Sequence, residues 1–98
     1  MLKKAQKIVN QYKELSEKIA SPDIINNHNK LAALAKEQSD LEPLYQKCKE
    51  YHQNHQTYES NQTLLGDEDL EIAEMAKEEN EKISIKIDQL DAELKILL

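Results

Sequence analysis

The stretch from Gly66 to Leu98, GDEDLEIAEMAKEENEKISIKIDQLDAELKILL, decides how the rest of the chain must fold. Its apolar residues Ala73, Ala76, Ile83, Ile87, Leu90, Leu94 and Leu97 recur at alternating spacings of three and four, interrupted only by Asn80. Such spacing lines one face of a single helix. The start is signalled as well. Gly66 punctuates the preceding segment, and Asp67, Glu68 and Asp69 offer a capping oxygen and negative charge where first-turn amide hydrogens point. The pattern predicts a helix from about Glu68 to Leu97, roughly 45 Å of rod at about 1.5 Å per residue. Its apolar stripe needs partners, and the segments before it must supply them.

Two segments do. From Leu2 to Ala20, the residues Ala5, Ile8, Val9, Tyr12, Leu15 and Ile19 form one stripe among Lys, Gln and Glu, which predicts a first helix. Ser21-Pro22-Asp23 stops it, and Pro22 suits the first position of a short helical turn over Ser21 to Asn26. From about Asn27 to Leu65 the seam runs through Leu31, Leu34, Leu41, Leu44, Cys48, Tyr51, His55, Tyr58 and Leu65, with Gln38 and Gln62 as its polar members. Pro43 lies inside this segment. Lacking an amide hydrogen and crowding the turn before it, it predicts a kink, with a true break as the alternative. The seam steps by three twice in succession at Gln38, Leu41 and Leu44, so it changes phase where the proline sits.

Three such helices with short connections predict an all-α fold, an elongated antiparallel three-helix bundle or coiled coil. The first helix, shorter than the others, leaves one end of the long pair as a two-helix arm. With 98 residues, 39% apolar content and four aromatics, all Tyr, the chain suits one small domain with a thin core.

Charge is uneven. The net charge is -6, yet residues 1 to 50 carry nine Lys against seven acids, and residues 51 to 98 carry four Lys against twelve. No Arg is present, and the acidic second half argues against a whole-domain nucleic-acid binder, which needs clustered cations. Lys3, Lys4 and Lys7 form a local basic patch, read first as a solvated helix face. The single Cys48 excludes an intrachain disulfide and fits a reducing compartment. No apolar run reaches the roughly 18 residues of a membrane span, so a cytoplasmic location is expected.

Candidate chemistry is sparse. Cys48, His52 and His55 stand at i, i+4 and i+7 of one helix, close enough to share a face as metal ligands. The packing reading is stronger: Cys48 and His55 lie on the seam, where a thiol behaves as a small apolar group, and His28 is loop-bound and distant. Glu71, Glu74, Glu78, Glu79 and Glu81 read as a solvated surface with pairing such as Glu78 to Lys82. Tyr12, Tyr51 and Tyr58 fit the seams, whereas Tyr45 sits off them, exposed or filling space beside Pro43. No phosphate loop or catalytic grouping is present. No catalytic, cofactor or metal residue is assigned, and the binding surface is left open. The apolar ending Ile96-Leu97-Leu98 leads to the expectation that the chain is an N-terminal piece of a longer protein.

The strings LEPLYQKCKEY (Leu41 to Tyr51), LLGDEDLEIAEMAKEE (Leu64 to Glu79) and LKILL (Leu94 to Leu98) occur in this order. Together they resemble the N-terminal helical domain of bacterial class-1 peptide chain release factors, in particular the branch that reads UAA and UAG. In that family, domains further along recognise the stop codon and carry a Gly-Gly-Gln loop that promotes peptidyl-tRNA hydrolysis. The resemblance implies a non-catalytic arm that positions the factor on the ribosome near the stalk base and the GTPase-associated region. It also implies the class-2 release-factor GTPase as a further partner. A free-standing adaptor coiled coil that self-associates is the competing expectation, and the isolated chain is expected to be able to dimerise through Leu97 and Leu98.

Overall fold

The computed structural model describes all residues, Met1–Leu98. Four helices and no strand form: α1 (Leu2–Ile19), α2 (Pro22–Ile25), α3 (His28–Leu64) and α4 (Leu70–Leu97). The all-α expectation holds. Contacts divide the chain into two compact units, Met1–Lys49 and Glu50–Leu98.

In the first unit, α1 buries Ala5, Val9 and Leu15 from the stripe read in the sequence. Ser21 precedes α2 in extended conformation and Pro22 occupies its first position, where the missing N–H costs nothing. The Asn27 side chain then accepts a hydrogen bond from the Lys30 amide at 3.2 Å, at the start of α3. Along α3, Gln38 donates to Ser16 Oγ and, at 3.5 Å, to the Tyr12 carbonyl. Tyr45 stacks on Tyr12, ring centroids 3.7 Å apart and planes within 7°. Residues 16 and 12 therefore meet 38 and 45 in reverse order, and α1 runs antiparallel to this part of α3. Tyr45 fills space against α1 instead of pointing into solvent.

Pro43 does not divide α3, which is helical without interruption across all 37 residues. The alternative of a true break is thereby corrected. Both Pro43 and Ser39, whose carbonyl loses its usual amide partner, are exposed. Water can satisfy that carbonyl, so the helix survives the lost bond.

The second unit joins the rest of α3 to α4 through the turn at 65–69. Ala76, Asn80, Leu90 and Leu94 are buried on α4, and Tyr51 and Asn61 on α3. Asp69 caps α4, its Oδ1 accepting from the Glu71 amide at 3.0 Å and the Ile72 amide at 3.4 Å. Asp67 Oδ1 accepts from the Asp69 amide at 2.8 Å, which tightens the turn. Tyr51 faces Asp91, Glu50 faces Lys86, and Asn61 faces Asn80, so this pair is antiparallel too. The stripe fails at one end: Leu97 is 53% exposed.

Gly66 ends α3 without using the freedom that makes glycine a helix stop. No residue has positive φ, and a Cβ at Gly66 would meet nothing within 4 Å. Gly66→Ala is therefore expected to raise the unfolding free energy by about 0.4–1 kcal/mol through the unfolded chain. A urea melt showing a loss of stability would contradict this.

Candidate functional site

Cys48 is fully buried in the first unit, and burial pushes its thiol up from its ordinary range. His55 meets the Tyr51 ring edge-on with centroids 4.6 Å apart. His52 Nδ1 and His55 Nε2 are buried without a hydrogen-bond partner. No group of three or more His, Cys, Asp or Glu side chains has an arrangement suited to a metal ion. His28 begins α3 and is exposed. Because only the thiolate reacts quickly, iodoacetamide should label Cys48 in the folded chain about a hundredfold or more slowly than in urea, since labelling waits on opening. Equal rates would mean that this part of α3 is not packed.

Two carboxylates are held below their usual range by their partners. Glu42 accepts from the Tyr12 hydroxyl, the main cause holding its carboxyl below the usual range, and from Gln46 Nε2 at 2.7 Å. The same bond raises Tyr12. Asp91 is lowered chiefly by Lys95, whose Nζ lies 2.8 Å from its Oδ2. It also accepts from the Tyr51 hydroxyl at 3.4 Å, and burial is the main reason Tyr51 is raised. A carboxyl lowered in the folded state adds stability that is present above its unfolded pKa, about 3.9–4.3, and is lost as pH falls through the folded value. The melting temperature should therefore drop as pH is lowered below that range. Glu42→Gln should flatten the drop, and an unchanged profile would remove Glu42 from this role.

These partnerships tie neighbouring side chains together within each unit. Lys3 and Lys7, with Gln6, Asn10, Gln11 and Glu14, line one open side of α1. The turn between α3 and α4 is different in kind. Around it Leu64, Leu65, Leu70, Ile72 and Met75 are exposed, Leu70 by 81% and Met75 by 64%. Beside them Asn61, Leu64, Ile72, Met75, Ala76 and Glu79 line a shallow notch of ≈ 190 Å³. The stripe reading missed this face because Ile72 and Met75 lie off the seam. Their signal was a surplus of apolar residues at non-seam positions, clustered at one end of α4.

The comparisons with known proteins agree on one family. The model of the PCRF domain matches residues 8–98. Peptide chain release factor 1 of a Nitratiruptor species is 41% identical over 99 residues, covering 100% of this chain and 27% of that protein. Its counterpart in Clostridium botulinum (strain Hall) is 38% identical over 99 residues, covering 100% of the chain and 28% of the relative. That of a Sulfurovum species is 38% identical over 95 residues, covering 97% and 26%. No solved structure matches. The chain thus spans little more than a quarter of the length of these relatives, and by the match over residues 8–98 it belongs to the PCRF domain family.

Proposed function

We propose that this chain is the N-terminal helical domain of a longer translation release factor and serves stop-codon-dependent termination as a positioning arm. The observation that carries the reading is the match of the whole chain to about a quarter of peptide chain release factor 1. In this reading the arm works in the cytoplasm and contacts the ribosome at the GTPase-associated region, through the stalk-base protein. The class-2 release-factor GTPase is a further partner. Codon reading and peptidyl-tRNA hydrolysis belong to the remaining three quarters; with a single glycine, this chain contains no Gly-Gly-Gln. No helix is long and apolar enough to cross a membrane.

Co-sedimentation with ribosomes tests the reading. Retention that is lost when the stalk-base protein is stripped supports a protein-contacting arm. Retention that survives stripping but disappears with salt moves the contact to rRNA and the Lys3, Lys4 and Lys7 face. No retention at any salt leaves the arm reading without support and favours the self-associating adaptor. The exposed Ile85, Ile96 and Leu97 give the adaptor its specific observation, and sedimentation velocity would report the dimer.

A further inference from the structure

We infer that the turn between α3 and α4 is a docking surface for a protein whose face carries an apolar side chain ringed by lysine or arginine. Leu64, Ile72 and Met75 are all exposed and line one notch, open to one inserted side chain. Contiguous exposed apolar residues with a polar rim mark protein contact surfaces. Glu79 lines the same notch, and the stretch that carries it is acidic. Between Leu64 and Glu79 lie seven acids and only Lys77, a net -6 that equals the charge of the whole chain. The rest of the molecule is balanced, so its net charge is concentrated on this one turn and the start of α4.

That charge selects the occupant. A phosphate backbone would be repelled, and a second copy would bring the same -6 against it. A basic protein face is attracted at long range and then finds apolar side chains to bury, a combination that speeds encounter and holds the complex. The turn is built to present them. Asp69 spends its carboxylate on the α4 cap and Asp67 on the turn, while Glu68, Glu71, Glu74 and Glu78 remain exposed.

The inference rests on the ribosome-arm reading only for where the partner resides, and the test separates the two. Three forms of the 98-residue chain are compared: unchanged, Met75→Glu, and Glu74→Lys with Glu78→Lys. All three sites are exposed, and helicity by circular dichroism checks the fold. Each is pelleted with ribosomes and titrated against a fluorescent amphipathic peptide of leucine and lysine. Both variants are expected to weaken ribosome retention and peptide binding about tenfold, the charge reversal losing its effect as salt rises. Tighter ribosome binding by the charge-reversed form would indicate phosphate and overturn the proposal. Ribosome retention unchanged by both variants would overturn it too, while leaving the arm reading intact. If the unchanged chain fails to pellet, the arm reading falls. Peptide binding that needs Met75, Glu74 and Glu78 then upholds the docking surface, and binding indifferent to them overturns it.

Discussion

Leu94→Ala is expected to lower the unfolding free energy by about 2–5 kcal/mol. Leu94 is 0% exposed and Leu90 1%, and together with Cys48 they are the largest fully buried side chains. Removing the Leu94 side chain beyond Cβ forfeits its transfer out of water and leaves a cavity that helices can close only partly. The core is thin. A chain of this size has an expected stability of roughly 5–15 kcal/mol, so one such substitution takes a large fraction of it. A shift of about 4–8 °C in melting temperature accompanies each kcal/mol in a domain of this length. Urea unfolding followed at the helical circular-dichroism band should show a lower midpoint at unchanged slope. Ile96→Ala supplies the contrast. Ile96 is 86% exposed, and its truncation should stay within about 0.5 kcal/mol. If the two variants melted together, α4 would not be packed through Leu94.

The contrast between Leu94 and Leu97 also shows where reading the sequence stopped being enough. Both belong to one regular stripe, and periodicity cannot say that neighbours cover one and not the other. Elsewhere the pattern carried far. The α1 residues expected inward are buried or half-buried, and so are all the expected α3 seam positions from Leu31 to Tyr58. The seam then slips. Gln62, expected as its polar member, is exposed, and Asn61 is buried instead. Steps of three and four are equally helical, so after Tyr58 either position continues the seam, and two polar residues give no hydropathy difference to choose by. Asn80 held the missing clue: a polar residue inside an apolar stripe needs a facing hydrogen-bond partner. Tyr45 was ambiguous for a related reason, since the phase change at Pro43 brings an off-stripe residue toward α1. For the candidate site, the acidic excess was legible, but the juxtaposition of Glu79 with Ile72 and Met75 was not, because those two apolar residues belong to no stripe.

The Asn61 and Asn80 pair leads to the second large expected effect. Asn61 is 8% exposed and Asn80 7%. Asn61 Nδ2 donates to Asn80 Oδ1 at 3.0 Å and to Glu79 Oε1 at 3.1 Å. Asn80 Nδ2 donates in turn to the Tyr58 carbonyl at 3.1 Å. Asn61→Leu strips Asn80 of the donor to its Oδ1, and leaving a buried acceptor unpaired costs about 1–3 kcal/mol. Asn80→Leu removes the acceptor facing Asn61 and should cost a similar amount. The double variant leaves neither amide behind and places two apolar side chains of similar size in the seam, so its stability should return to near or above that of the unchanged chain. A double-mutant cycle should accordingly give a coupling of about 0.5–3 kcal/mol. What the double variant loses is register. A seam that is apolar throughout can pair in more than one alignment, whereas two amides that satisfy each other favour one. The double variant should thus show equal or greater resistance to urea together with broadened amide resonances or self-association by sedimentation velocity. Additive losses in the cycle, with no recovery in the double variant, would mean that the two amides are stabilised separately and that the pair does not set the alignment of α4 on α3.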